Sequence, residues 1–298
     1  MKIHDSATRP RTITVRGGTL AAALAVVSFS LSFPATVWAL DGFGPWTVTG
    51  VRGLLAGLLA AACLIAARTP LPERRHVPDL LTVAVGCVIG FPLFTALALP
   101  TSGTGHSAVV IGVLPLATAI ISSALTGGRP SRTFWVAAGV GAATVVAFTL
   151  SRGHGLPTIG DGYLFAAVLS AAAGYARGGR LASYLPGWQV IAWGVVAALP
   201  VSAVLTAGAL VVEPARPGPA AILGLLYLAA VSQFGGFVLW YRGMALIGVP
   251  RASQLQLAQP LLTLVWAVLL MGERLPVLAP VTAVIVLVCV VVTQRSRV

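Results

Sequence analysis

The chain has 298 residues, of which 57% are hydrophobic and only 9% charged, with 7 acids against 19 bases and a mean hydropathy of +0.94. A soluble domain carries roughly 25% charged residues, so this composition excludes a water-soluble fold and places most of the surface in lipid. The net charge of +12 sits on bases standing singly or in pairs between apolar runs, without the continuous basic face that neutralises phosphates, which excludes nucleic acid as a partner.

A bilayer core needs about 20 apolar residues per helix. Taken in chain order, the apolar runs predict ten helices near 18–40, 45–67, 79–99, 105–126, 133–151, 161–178, 187–211, 218–241, 250–271 and 276–293. They follow a basic tail, 1–17, and precede a short tail, 294–298. The first run also has features of a secretory leader: a basic lead and Val37-Trp38-Ala39 as a candidate cleavage point. Its length and the bulky Trp38 at its exit favour a retained helix. The connections are short and leave no room for a soluble domain.

Alternating the ten helices from a cytoplasmic N-terminus puts fifteen Lys and Arg on the inner side and three, Arg152, Arg216 and Arg274, on the outer side. Basic loops resist translocation, so both termini are expected in the cytoplasm of a bacterial inner membrane. Trp38 and Trp46 fall near the outer interface, and Trp135 and Trp188 near the inner one, where aromatic anchors are enriched. Cys63, Cys87 and Cys289 lie far apart in apolar runs and form no CxxC pair, so neither a metal site nor a disulfide framework is indicated. No cofactor is expected.

The chain repeats itself. Pro115-Leu116-Ala117-Thr118 followed by Gly127-Gly128-Arg129 returns as Pro260-Leu261-Leu262-Thr263 followed by Gly272-Glu273-Arg274, each position displaced by 145. Gly18-Thr19-Leu20 matches Gly162-Tyr163-Leu164 at 144, and Gly90-Phe91 matches Gly236-Phe237 at 146. The reading is therefore an all-α integral membrane protein of two five-helix repeats, 18–152 and 161–293. Five is odd, so the two copies are expected to be inverted in the membrane, as in many transporters.

These residues resemble the drug/metabolite transporter superfamily, in particular its EamA-type members with ten helices. The resemblance is carried by Arg52, by Gly160-Asp161-Gly162, by Trp240-Tyr241-Arg242-Gly243-Met244-Ala245-Leu246, and by Arg251-Ala252-Ser253, Pro260 and Gly272-Glu273-Arg274-Leu275. In the first half the family's Gly-Glu reads Gly127-Gly128, and the first helix lacks the family's Trp-Gly. The resemblance implies an inner-membrane exporter or exchanger of small metabolites.

Polar side chains within lipid tend to face the bundle interior. In the ninth helix Ser253, Gln256, Gln259 or Pro260, and Thr263 fall on one face by three- and four-residue spacing, with Gln254 turned away. They are candidates for a substrate pathway or for interhelical bonds. Pro115 and Pro260 each remove a backbone donor and are candidate kinks or gates in equivalent helices. Gln233, Trp240, Tyr241 and Tyr175 are further pathway candidates, the aromatics having interface anchoring as the alternative. Ser28, Ser30 and Ser32 are expected to permit close packing. Arg52, inside the second helix, is expected to snorkel outward, to meet a polar partner or to hold a substrate carboxylate. For Glu273 a helix cap or an ion pair with Arg274 is expected.

No carboxylate falls at mid-membrane depth and His106 lies near an outer helix end, which favours facilitated exit or exchange over a proton relay. No Walker-type motif, metal cluster or Ser/His/Asp grouping is present, so the chain is not read as an enzyme. The leading function is a secondary transporter of small organic metabolites or drugs working by alternating access, with zwitterionic or weakly anionic solutes preferred over cations. A non-transporting assembly or regulatory protein and a lipid-modifying membrane enzyme are the alternatives. Its partners are a small-molecule substrate and membrane lipid, with a homodimer left open.

Overall fold

The computed structural model describes residues 9–127, 131–152, 157–247, 255–256 and 258–295, and among them every regular element is helical. In hydrocarbon each backbone N–H and C=O must be satisfied within the chain, which an apolar run achieves only as a helix. Arg16–Leu40, Pro45–Ala66, Arg74–Ser102, Thr104–Leu125, Ile159–Leu181 and Pro219–Gly243 are long and apolar enough to cross a membrane. Gly187–Ala197 and Leu199–Val212 meet at a 44° bend and together make a seventh, while Arg132–Phe148, Ala258–Leu269 and Leu278–Val292 are shorter apolar helices. The protein is multi-pass. Its apolar side chains Ile65, Val85, Val204 and Val211 point outward, while Ser30, Thr104, Ser202 and Gln233 are buried.

Numbered in chain order after the ten apolar runs of the sequence, the segments are Arg16–Leu40, Pro45–Ala66, Arg74–Ser102, Thr104–Leu125, Arg132–Phe148, Ile159–Leu181, the bent pair Gly187–Ala197 and Leu199–Val212, Pro219–Gly243, Ala258–Leu269 and Leu278–Val292. Several of them are interrupted. The fourth breaks at Gly112–Val113, where the Gly112 N–H reaches the carbonyls of both Ala108 and Val109. Pro115 is then the second residue of the helix Leu114–Thr126, where its missing N–H costs nothing. The third segment relaxes into a π-helix over Ala84–Gly90 and the eighth over Tyr227–Gly235. Such stretches are rare and concentrate at functional sites. The fourth segment ends at Gly127 and the ninth at Gly272, with φ of 69° and 65°. A side chain there would strain the left-handed backbone, so the matched glycines of the two repeats are one helix stop used twice.

The halves pack through one another. The first segment lies on the eighth, the second on the seventh, the third on the sixth, the fourth on the ninth and the fifth on the tenth. Exchanging each segment with its counterpart five places on maps this set of pairs onto itself.

Candidate functional site

The fourth and ninth segments meet at a small cavity near the middle of the bundle. Pro115, Gln256, Gln259, Pro260 and Thr263 line it, with Phe33 and Leu114. Thr263 fixes the ninth segment against the first, its hydroxyl within reach of the Ser30 carbonyl at 3.1 Å and the Gln259 carbonyl at 3.0 Å. Trp266 Nε1 donates to Ser30 Oγ at 2.9 Å. A second cavity shares Phe33, Leu114 and Gln259 and adds Arg52, Tyr175, Ser32 and Ser232, with Phe29, Phe91 and Phe237 as apolar wall. Each holds about 30 Å³, room for a water or two.

Seven pathway or kink candidates of the sequence therefore converge: Arg52, Pro115, Tyr175, Gln256, Gln259, Pro260 and Thr263. Ser253 lies outside the described residues. Gln233 stands behind the wall, fully buried, its Nε2 donating to the Cys87 carbonyl at 3.4 Å while its Oε1 has no partner. These two residues sit in the paired π-helices, 146 positions apart. Trp240 and Tyr241, each 7% exposed, do not mark a lipid interface. Trp240 meets Phe29 edge-on at 6.4 Å and Tyr241 packs on Phe237 at 6.4 Å, so both brace the aromatic cavity wall. The serines of the first segment also do more than allow close approach, since Ser32 Oγ meets Ser232 Oγ at 2.7 Å.

Arg52 does not snorkel. It is 6% exposed, held inward because its helix is packed against the seventh and eighth segments. Its Nη2 donates to Ser232 Oγ at 3.2 Å, and its Nε is buried without a partner.

Two ends of the bundle carry the acids. At the distal end, where the odd-numbered segments finish, His106 Nε2 lies 2.6 Å from Asp161 Oδ1, joining the fourth segment to the sixth. Asp161 also closes a capping box with Thr158. Glu273 accepts the Thr104 and Gly105 N–H groups at 2.6 and 2.8 Å, so it caps the fourth segment from across the bundle rather than pairing with Arg274. Glu213 does the same for the second segment, accepting from Trp46 N at 3.2 Å and from Thr47 N and Oγ1 at 2.8 and 2.7 Å. A cavity of about 340 Å³ opens beside His106, Glu273 and Arg274. At the proximal end Asp79 accepts from Arg177 at 3.1 Å and Arg180 at 2.6 Å, tying the third segment to the sixth. Of these clamps only Thr158-x-x-Asp161 has a local signature. The others join residues 55 to 169 positions apart and leave no mark in the linear pattern. Among the described residues no three His, Cys, Asp or Glu side chains converge as a metal would require.

The profile of the EamA-like transporter family matches residues 16–150 and, a second time, 158–294. The chain belongs to that family. It is also 38% identical over 272 residues to the uncharacterized transporter YdeK of Bacillus subtilis (strain 168), covering 91% of this chain and 95% of that protein. A solved crystal structure with 20% identity superposes with a TM-score of 0.64, over 93% of this chain and 97% of the other, which bears on the fold alone. The family makes this EamA-like protein a membrane transporter and not an enzyme.

Proposed function

We propose that this EamA-like protein is a secondary carrier that moves small organic solutes out of the cell, by facilitated exit or exchange, through alternating access. The carrying observation is the convergence of the interrupted fourth segment, at Pro115, and the Pro260 region of the ninth on one narrow cavity that Gln256, Gln259 and Thr263 also line. A track with room only for water has to open to one side and then the other before a metabolite passes. Two repeats, 18–152 and 161–293, inverted across ten membrane-spanning segments, supply equivalent moving parts for the two openings. The self-consistent pairing of segments between the halves supports that arrangement.

In this reading Gln256, Gln259, Tyr175 and Arg52 face the solute. Gln233, Trp240 and Tyr241 hold the wall behind them, and Pro115 and Pro260 mark the places where segments flex. The distal end faces outward, and both termini lie in the cytoplasm of a bacterial inner membrane, following the distribution of Lys and Arg.

The test compares metabolites in cells and medium, by untargeted mass spectrometry, for strains carrying the native chain, a Gln256→Ala/Gln259→Ala variant at equal membrane level, or empty vector. Solutes enriched in the medium by the native chain alone support both carrier and site. Equal export by the variant removes the ninth-segment stripe from the pathway. A native profile identical to empty vector favours the non-transporting alternative.

A further inference from the structure

We infer that Arg52 is the anion-binding residue of the central site, and that the solute it receives bears a free carboxylate. The inference rests on the carrier reading for its physiological meaning but on the cavity alone for its chemistry. A guanidinium stays charged in proteins and offers five N–H donors in a planar fork. Burying it in a low-dielectric bundle is costly unless a counter-charge meets it. None does. The chain has 7 acids, and Asp5 lies outside the described residues. Asp79 is engaged by Arg177 and Arg180, Asp161 by His106 and Thr158, and Glu73 by Arg75. Glu213 and Glu273 cap helices, and Asp41 stands exposed in a turn.

Arg52 is left with one hydroxyl, Ser232 Oγ, while its Nε points to no acceptor. Both sit on a cavity whose other polar wall is Ser32, Tyr175 and Gln259. Those groups suit a carboxylate: the fork donates two parallel N–H bonds to its oxygens, and hydroxyl and amide donors serve the remaining lone pairs. The rings of Phe29, Phe91 and Phe237 are the apolar wall against which the rest of the molecule packs once the cavity widens. A cation would meet an uncompensated positive charge, and a neutral amide would leave that charge unanswered.

The experiment uses the full chain in nanodiscs, with benzoate and benzamide as isosteric probes that differ in charge, and follows thermal unfolding of the native chain, Arg52→Gln and Arg52→Lys. Benzoate is expected to raise the native midpoint and benzamide to leave it unchanged. Arg52→Gln is expected to melt above the ligand-free native chain, because an unpaired buried charge has been removed, and to bind benzoate roughly ten- to hundredfold more weakly. Arg52→Lys should respond partially. An equal response to benzamide, no native response to benzoate, or an undiminished benzoate response in Arg52→Gln overturns the inference. A lower ligand-free midpoint for Arg52→Gln would assign the arginine to structure and overturn it too. The solutes exported by the native chain supply a separate readout: all should carry a carboxylate, and neutral or cationic ones would overturn the assignment. If nothing is exported while benzoate still binds through Arg52, the carrier reading fails and the anion site stands.

Discussion

The ends of the bundle and its centre use charge in opposite ways. At both ends the described carboxylates, Asp41 apart, are engaged: Asp79 by two arginines, Asp161 by a histidine and its own capping box, Glu213 and Glu273 by the first N–H groups of neighbouring helices. Asp79 and Asp161 are themselves buried, yet their charges are answered inside the fold, and each of these contacts ties one segment to another. At the centre Arg52, buried as deeply, has one hydroxyl partner and a buried Nε with none. Charge that holds a fold is paired within the fold. The unpaired buried charge is the one assigned above to a solute from outside the fold.

The sharpest way to break this contrast is to give the centre its own acid. Ser232→Asp places a carboxylate beside Arg52 and should occupy the fork permanently. The expected result is a higher thermal midpoint with export and benzoate binding reduced at least about tenfold. Export at the native rate would mean that Arg52 does not meet the solute.

The converse change empties the ends. Asp161→Ala removes the Thr158 capping box and the His106 tie together and should cost about 2–3 kcal/mol, read as a loss of thermal midpoint in nanodiscs. Glu273→Ala leaves two helix N–H groups uncapped and should cost about 1–2 kcal/mol. Benzoate should still shift the midpoint of both variants, because neither touches the central cavity; loss of that response would show that ends and centre are not separable. Arg75→Ala sets the lower bound. Its ion pair with Glu73 is about two-thirds exposed on both sides, and such surface pairs contribute roughly 0–1 kcal/mol, so the midpoint should hardly move.

Much of this plan is legible along the chain. The apolar runs located the helical segments because lipid forces any such run into a helix. The 145-residue offset picked out Pro115 with Pro260 and Gly127 with Gly272, because a helix break and a left-handed stop are local requirements that only a few residues meet. Three- and four-residue spacing put Gln256, Gln259 and Thr263 on the face that lines the cavity. The paired π-helices escaped, since Ala84–Gly90 and Tyr227–Gly235 have no composition that distinguishes them from ordinary helix. The braced positions of Trp240 and Tyr241 escaped as well, because an aromatic residue near a helix end reads alike whether it meets lipid or another ring.

The sequence by itself determined a multi-pass helical membrane protein with two related halves and an arginine inside an apolar run. Composition, periodicity and steric punctuation suffice for that, because each acts over a few residues. Only the tertiary structure decided which charges are answered. His106 finds Asp161, Glu273 finds the start of the fourth segment and Arg52 finds no acid among the described residues, since electrostatic pairing depends on distance through space between segments that the chain keeps tens to hundreds of residues apart.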